Sequence, residues 1–298
     1  MKKFDLTSCA VCPRECGINR YEKRGYCGEG AEIYVSKIML HHFEEPIISG
    51  KSDDTEGSGA IFFSGCPLHC VYCQNKKISG GGRGEIMTAA RLADEMLRLE
   101  EMGAYNINLV TPTHFIPQII DALDIAKPKL SIPVVFNTGG YEKAETVAAL
   151  QGYADIFLTD FKYGTADMAK KYSAAPDYPK IAIEALTEMF RITGEPVIGE
   201  NGMMKKGIIL RHLVLPGGRH DSVAALRAAA DAIPADKVIL SLMRQYTPEF
   251  APDSTPELKR RITTFEYNYV LKEALSLGFD GFSQDKDSAR TVFTPDFQ

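Results

Sequence analysis

Apolar residues occur along the chain in two patterns that predict different elements. From residue 60 onward, short apolar runs alternate with stretches in which apolar side chains recur every three or four positions, as at Leu92, Met96 and Leu99. Short runs are typical of buried strands, and the wider spacing is typical of helices that pack one face on a core. The pattern predicts six strands, at 60–64, 105–111, 132–137, 154–160, 207–215 and 237–243.

Helices are predicted between these strands. Thr88 is expected to cap the first, and Asp221 or Ser222 the helix before the sixth strand. Thr255 is expected to open a long helix that Gly278 ends. The remaining helices are predicted at 116–126, 142–150, 165–173 and 179–192. Six strand–helix units predict an α/β fold with a parallel sheet, either an open doubly wound sheet or a partial barrel.

Residues 1–57 differ from the repeating part of the chain. They contain four cysteines, an apolar piece at 31–40 that predicts one or two short strands, and part of a turn-rich stretch at 49–59. We therefore predict a small N-terminal Cys-rich subdomain over 1–57 and a main domain over 58–298. A last apolar piece at 279–282 is expected to pair with the sheet or to cap it.

Composition and charge exclude several classes of protein. A hydrophobic content of 45% with 24% charged residues is typical of a folded domain and excludes a disordered chain. The formal net charge of −5 gives no sign of a nucleic-acid partner, and no apolar run is long enough for a membrane span. The first residues lack the apolar stretch of a signal peptide. We expect a cytoplasmic protein with neither a nucleic-acid nor a membrane partner.

The seven cysteines fall into two tight groups, four at 9, 12, 16 and 27 and three at 66, 70 and 73. A disulfide framework would spread through the fold, so the grouping favours thiolates that bind metal. Cys66, Cys70 and Cys73 follow the first predicted strand with C-x3-C-x2-C spacing. Three thiolates can hold three irons of a cubane cluster and leave the fourth iron open for a ligand. Tyr72 is placed to cover such a cluster.

This cysteine motif, with an aromatic residue before its last cysteine, resembles the signature of the radical S-adenosylmethionine (SAM) superfamily. Further along, the chain is similar to the PflX-like subgroup of pyruvate formate-lyase activating enzymes. The similar segments are 12–20, 44–50, 110–114, 160–162, 210–217 and 245–248. The resemblance implies a partial (β/α)6 barrel, a [4Fe–4S] cluster on Cys66, Cys70 and Cys73, and SAM as cofactor. It also implies reductive cleavage of SAM to methionine and a 5′-deoxyadenosyl radical that abstracts hydrogen from a substrate.

The resemblance also suggests which residues bind SAM. Asp160 and Lys162, at the end of the fourth strand, match an Asp-x-Lys pattern of the family, and Arg211 would meet the SAM carboxylate. Asn137 and Gln245 follow two further strands and are candidate contacts. For each of these side chains, a purely structural ion pair or hydrogen bond is the alternative.

One segment departs from the family pattern. Many members carry Gly-Gly-Glu after the second strand, whereas this chain has Thr111-Pro-Thr-His114. We expect Thr111 and Thr113 to contact the SAM amino group instead. His114 is then a candidate for catalytic proton handling, with a buried or capping histidine as the alternative.

The first cysteine group, Cys9, Cys12, Cys16 and Cys27, offers four sulfurs within 19 residues. Four thiolates suit a tetrahedral zinc or a second iron–sulfur cluster, and the sequence does not separate the two. An iron–sulfur cluster here would relay electrons, and zinc would build a lid or docking surface.

Three functions remain open from the sequence. The first is an activase that places a radical on a glycyl radical enzyme. The second is a radical SAM oxidoreductase that modifies another peptide, protein or small molecule. Both need a one-electron reductant such as flavodoxin or ferredoxin and anaerobic handling. The third is a non-enzymatic iron–sulfur electron carrier or zinc-bearing interaction module.

Overall fold

The computed structural model describes residues 4–51 and 55–283. Its strands are β1 (Ile33–His41), β2 (Gly57–Phe63), β3 (Glu85–Met87), β4 (Ala104–Val110), β5 (Val134–Thr138), β6 (Ile156–Asp160), β7 (Val197–Ile198), β8 (Met204–Leu213), β9 (Ile239–Met243) and β10 (Asp280–Ser283). Its α-helices are α1 (Pro46–Ser49), α2 (Lys76–Ser79), α3 (Ala89–Glu101), α4 (Ile116–Ala126), α5 (Ala144–Ala148), α6 (Ala166–Ser173), α7 (Tyr178–Thr193), α8 (Arg219–Ala232) and α9 (Thr264–Ser276). Short 3-10 helices lie at Leu6–Ser8, Thr113–Phe115, Ala235–Lys237, Pro248–Phe250 and Pro256–Leu258.

Strands β2, β4, β5, β6, β8, β9 and β10 lie side by side in chain order, and every neighbouring pair among them is parallel. A doubly wound sheet would reverse the strand order part-way, which this sheet does not do. Because parallel crossovers are right-handed, an unreversed order places the crossover helices on one face. The expected α/β fold, a parallel sheet wound as a partial barrel, is confirmed.

The segment before residue 57 contributes to the same sheet. Strand β1 pairs antiparallel with β2, and β3 pairs antiparallel with β1. The apolar piece at 31–40 therefore forms one strand at the edge of the sheet. The domain boundary at residue 57 stays a prediction, and residues 52–54 of the turn-rich stretch lie outside the described residues.

Period-two alternation along the strands sends their side chains to two faces. On the outer face, Phe136 and Phe157 join the large core under the helices. On the inner face, Val135, Ile156, Leu158 and Ile209 pack around Ile48 of α1. Helix α1 thus fills the inner face near the amino ends of the strands.

The same alternation places three polar residues on the inner face at the carboxyl ends of the strands. Asn137 lies two residues beyond Val135, Asp160 two beyond Leu158, and Arg211 two beyond Ile209. Asp160 and Arg211 are direct partners in the β6–β8 register. The strand pattern alone therefore brings a carboxylate, a guanidinium and an amide together above the apolar inner core.

Two predicted helix starts are wrong. Helix α8 begins at Arg219, after Gly218, and Asp221 instead accepts hydrogen bonds from the Thr165 hydroxyl (2.6 Å) and the Gly164 amide (3.2 Å). Helix α9 begins only after Thr263, whose side chain accepts from the Glu266 amide in a capping box. Thr255 is followed by a short 3-10 turn rather than by a long helix. The reciprocal Thr263–Glu266 bonds satisfy two amides of the first turn, which favours a start there.

The short apolar piece after Gly278 forms β10, which pairs parallel with β9. None of the helices within residues 4–51 and 55–283 combines the length and apolar character needed to cross a membrane.

Candidate active site

Polar residues at the carboxyl ends of the parallel strands surround a cavity of about 240 Å³. In parallel α/β folds this end of the sheet is where ligands bind. The residues predicted to bind the cluster or SAM all line this cavity: Cys66, Cys70, Tyr72, Cys73, Thr111, Thr113, Asn137, Asp160, Lys162, Arg211 and Gln245. The fold therefore places these eleven side chains around a single cavity.

The three-cysteine loop, Cys66 to Cys73, connects β2 to α2. It starts after Gly65, whose φ is +82° and where a Cβ would lie 2.6 Å from the Cys27 carbonyl oxygen. Only glycine fits such a close backbone approach. The Leu68 amide donates to Cys66 Sγ (3.4 Å), and the Ser173 hydroxyl donates to Cys70 Sγ (3.1 Å). These donors would stabilise negative charge on the sulfurs.

The chemistry of the three thiols fits an iron–sulfur cluster. Burial raises the pKa of Cys66 to about 12 and that of Cys73 to about 11, and the neighbouring Cys70 raises both further. Neighbouring thiolates repel one another, so a cationic partner favours their ionisation together. A [4Fe–4S] cluster is such a partner, and three cysteines leave one of its irons for another ligand.

The N-terminal segment holds the three-cysteine loop in place. The Cys66 amide donates to the Cys27 carbonyl (3.0 Å). Arg14 donates from Nε to the Pro67 carbonyl (2.7 Å) and from its two Nη atoms to the carbonyls of Ser173 (2.8 Å) and Ala174 (2.6 Å). One guanidinium thereby joins the N-terminal segment, the cysteine loop and the end of α6.

Charged side chains form a largely buried network across the strand ends. Arg211 donates from Nε to Asp160 (3.0 Å), from Nη1 to Glu44 (3.1 Å) and from Nη2 to the Asn137 side-chain oxygen (2.6 Å). Lys162 Nζ pairs with the other oxygen of Asp160. Asn137 also donates to Glu44 (3.0 Å). The three described contacts of Arg211 use all three of its nitrogens, whereas the described contact of Lys162 uses one of its three hydrogens.

This network keeps its members charged. Burial opposes ionisation of Asp160, but the opposite charges of Lys162 and Arg211 outweigh it and lower the pKa of Asp160. Burial likewise opposes the charge on Lys162, and Asp160 outweighs it and raises the pKa of Lys162. The cavity wall therefore presents fixed charges of both signs, which suits a ligand that carries both an ammonium and a carboxylate group.

Two acidic residues of the cavity were not predicted as site residues. Glu44 lies between β1 and α1 and accepts hydrogen bonds from Arg211 and Asn137. Glu142 follows β5 and accepts from the Thr113 hydroxyl (2.8 Å), while its second oxygen has no hydrogen-bond partner in the described part of the chain. Glu44 begins segment 44–50, one of the segments that resemble the PflX-like subgroup, but no sequence pattern around it indicates a site residue.

Glu142 has an unusual acidity. Burial raises its pKa to about 7, although the hydrogen bond from Thr113 partly opposes the rise. A buried carboxyl group with one unpaired oxygen in a cavity is suited to accept a hydrogen bond from a cationic ligand group.

Glu142→Gln is expected to remove a pH dependence of stability. The folded pKa of about 7 exceeds the usual value of 4.5, so the folded state holds this proton more tightly than the unfolded state. The stability contributed by Glu142 is therefore greatest below about pH 4.5 and falls as the pH rises to about 7. The difference in unfolding free energy between the glutamine variant and the parent should therefore change by about 3 kcal/mol in favour of the variant as the pH rises from about 4.5 to about 7. Unfolding of both proteins without SAM, at several pH values, measures it; a constant difference would contradict the assignment.

The remaining predicted cavity residues occupy distinct positions. Thr111 has φ of +58°, a conformation unfavourable for a β-branched residue and found mostly at functional sites. Tyr72 is buried and donates to the Tyr163 hydroxyl (2.9 Å). Gln245 follows β9 and donates to Met243 Sδ (3.5 Å).

Among the residues predicted to act on the cluster, SAM or the substrate, His114 alone does not line the cavity formed by the described residues. Its Nε2 contacts the Ser64 carbonyl at 2.6 Å, and burial lowers its pKa to about 3. A neutral, buried imidazole bonded to the backbone just before the cysteine loop supports the loop. The structure does not bring it together with the other candidates.

The first cysteine group also comes together. Cys9, Cys12 and Cys27 are buried, and Cys16 is exposed. A Cβ on Gly25 would lie 3.3 Å from Cys16 Sγ and 3.6 Å from Cys27 Sγ, so these two sulfurs are neighbours. Burial raises the pKa of Cys12 to about 12, and the three other thiols raise it further. Among the described residues, no three His, Cys, Asp or Glu side chains already converge on a single ion position, in this group or in the three-cysteine loop. A metal at this group stays a prediction.

Comparisons with known proteins agree with the geometry. Residues 60–205 match the model of the radical SAM superfamily. An uncharacterized protein of Methanocaldococcus jannaschii is 28% identical over 285 residues, which cover 92% of this chain and 76% of that protein.

Two solved structures share the fold. A radical SAM methyltransferase from Sphaerobacter thermophilus has a TM-score of 0.52 and 14% identity, covering 76% of this chain and 65% of that structure. Streptococcus suis SuiB, bound to its precursor peptide SuiA, has a TM-score of 0.50 and 11% identity, covering 73% of this chain and 46% of that structure. The chain thus spans less than two thirds of either structure. The match over residues 60–205 contains the three cysteines and most of the cavity wall, and this part of the chain is a radical SAM superfamily domain.

Proposed function

We propose that this protein binds a [4Fe–4S] cluster through Cys66, Cys70 and Cys73 and uses it on SAM as an oxidoreductase. The observation that carries the proposal is the position of these cysteines on the same cavity as the Asp160–Lys162–Arg211 network. When bound, the cluster supplies the electron that cleaves SAM to methionine and a 5′-deoxyadenosyl radical, which abstracts hydrogen from the substrate.

The cavity residues would bind and orient SAM. Lys162, with donor hydrogens beyond its described bond to Asp160, suits a carboxylate. Thr111, Thr113 and the unpaired oxygen of Glu142 suit an ammonium group. Asn137 and Gln245 offer amide groups for the adenosyl part. Arg211 is bonded to Asp160, Glu44 and Asn137, so we assign it the role of fixing these side chains rather than direct contact with SAM.

Apolar side chains would keep water from the reacting atoms. Phe43, Phe62, Val110, Leu213 and Met243 line the cavity together with Tyr72. A primary alkyl radical reacts with many C–H bonds, so a closed wall around the substrate limits the reaction to the intended one. Tyr72 lies next to Cys73 in sequence and is suited to shield the cluster from solvent.

For the substrate, we propose a backbone glycine of a glycyl radical enzyme, as the PflX-like resemblance implies. Another peptide or protein substrate is the second candidate, and the fold shared with SuiB, which was solved with its precursor peptide, supports it by analogy. A one-electron donor such as flavodoxin or ferredoxin would be the other partner, and oxygen-free conditions would be required.

We also propose that Cys9, Cys12, Cys16 and Cys27 hold a zinc ion or a second cluster. Their sulfurs are close enough for Cys12 to interact electrostatically with the other three, and such mutual repulsion favours a bound cation. Because the backbone carbonyl of Cys27 accepts a hydrogen bond from the Cys66 amide, a metal bound at Cys27 would also fix the three-cysteine loop.

Metal and product analysis tests these proposals. Protein purified without oxygen is analysed for iron, sulfide and zinc, then reduced with dithionite in the presence of SAM, and 5′-deoxyadenosine is counted. About four irons with zinc would assign zinc to the N-terminal group, and about eight irons would assign a second cluster there. Incubation with a glycyl radical enzyme, followed by electron paramagnetic resonance (EPR), tests the substrate. Protein that gains no iron on reconstitution and forms no 5′-deoxyadenosine would overturn the function.

A further inference from the structure

Three buried hydroxyl groups form a continuous chain that ends on the sulfur of Cys70. The Tyr72 and Tyr163 hydroxyls are 2.9 Å apart, those of Tyr163 and Ser173 are 2.7 Å apart, and Ser173 Oγ lies 3.1 Å from Cys70 Sγ. Tyr163 is fully buried and Ser173 is 2% exposed. Water therefore does not compete for the hydrogen bonds of Tyr163 and Ser173, and this row of hydroxyl groups lies in the interior of the protein.

The direction of this chain is fixed by counting hydrogens. A sulfur bound to iron has no hydrogen and can only accept, so the single hydroxyl hydrogen of Ser173 is donated to Cys70. Tyr163 must then donate to Ser173, and Tyr72 to Tyr163. All three O–H dipoles point toward the sulfur. Bonds in such a series polarise one another, so the last bond is stronger than an isolated serine would make.

The backbone around Ser173 holds it at this distance. Ser173 ends α6, and its carbonyl accepts from Arg14 (2.8 Å), which also holds the Pro67 carbonyl in the cysteine loop (2.7 Å). One residue earlier, the Tyr172 carbonyl accepts from the Val71 amide (2.9 Å). Three further hydrogen bonds therefore hold the backbone of Ser173 next to the cysteine loop, which keeps its hydroxyl within reach of Cys70.

We propose that Ser173, with Tyr163 and Tyr72 behind it, is a positioning residue that raises the reduction potential of the cluster held by Cys66, Cys70 and Cys73. This inference rests on the proposed function. Reduction adds one electron to the cluster and increases the negative charge on its sulfur ligands. A hydrogen bond donated to a sulfur stabilises that added charge, so it favours the reduced form. An easier reduction makes the electron that cleaves SAM accessible to a milder donor.

The test is a redox titration of the reconstituted full-length protein, with dithionite as electron donor and EPR of the reduced cluster as readout. Ser173→Ala removes the donor and is expected to shift the one-electron equilibrium about tenfold toward the oxidised form, which corresponds to about 59 mV to more negative potential. Tyr163→Phe keeps the Ser173 hydroxyl but removes the hydrogen bond that polarises it, so we expect a smaller shift of the reduction potential in the same direction. Thr193→Val removes a buried hydroxyl that donates to the Met189 carbonyl in α7 and should leave the potential unchanged.

The outcomes separate this inference from the proposed function. A parent protein that takes up no cluster and gives no EPR signal would refute the proposed function itself. A parent with a normal cluster and a Ser173→Ala variant of the same potential would refute the role of Ser173 alone. If Ser173→Ala loses the cluster, Tyr163→Phe decides, since an unshifted potential in that variant would equally refute the hydroxyl chain.

Discussion

Replacing Cys66, Cys70 or Cys73 by alanine is expected to reduce 5′-deoxyadenosine formation to the background rate. In the proposed site each cysteine would supply one of three protein ligands. A cluster held by two thiolates would be less stable and would no longer present its open iron to SAM in a fixed orientation. The iron content should fall by about four per chain in each variant. The loss concerns the cofactor itself, so no increase in SAM concentration should restore the product.

Iron analysis and product counting on the same anaerobic preparations measure this effect. Ser276→Ala, a change at an exposed helix end where the hydroxyl donates to the Glu273 carbonyl, is the matched surface control and should keep both iron and product. The three alanine variants should also retain parental circular dichroism, which excludes general unfolding. A variant with full activity would show that its cysteine is not a cluster ligand.

Arg211→Ala is expected to weaken both the fold and SAM binding. The guanidinium lies between the carboxylates of Asp160 and Glu44, and its side chain is 14% exposed. Without it, two largely buried carboxylates lose a cation. Breaking a fully buried pair costs about 3 to 5 kcal/mol, and the partial exposure here places the expected loss at the low end of that range. Because Asp160 also pairs with Lys162, the loss of Arg211 should displace both side chains and weaken SAM binding more than tenfold, about 1.4 kcal/mol.

Unfolding curves and anaerobic SAM titrations measure the two effects separately. Arg211→Lys keeps the charge but not the planar fork that contacts three acceptors, so it should recover part of the stability and little of the affinity. Arg227→Ala, which removes a surface pair with Glu273, is the matched control and should change stability by less than about 1 kcal/mol. Parental SAM affinity in Arg211→Ala would restrict this arginine to a structural role.

Much of the site could be predicted from short stretches of sequence. The spacing of Cys66, Cys70 and Cys73 after an apolar run was enough to expect a cluster loop at the end of a strand. Asn137 and Asp160 could be placed because each ends a predicted strand, and Arg211 because it lies on the predicted fifth strand. Their convergence follows from the parallel order of the strands, which the repeated strand–helix pattern implies.

Other features depend on segments that meet only in the folded chain. Glu44 reaches Arg211 across 167 positions of sequence, and Arg14 reaches the end of α6 across about 160. Neither contact has a local pattern, because each side chain lies in a loop whose path is set by distant strands. His114 is the opposite case: it has the residue type of a proton carrier, but its Nε2 contacts the Ser64 carbonyl, which fits the buried-histidine alternative.

The sequence by itself determined the order of strands and helices, the three-cysteine loop and the polar strand ends, because each follows from residues within a few positions of one another. Only the tertiary structure decided which acids share the cavity, how acidic Glu142 is, and that Ser173 donates to Cys70. Those properties depend on burial and on distances between remote segments. Burial changes the energy of a charge or of a hydrogen bond more than residue type does, and burial is a property of the packed chain.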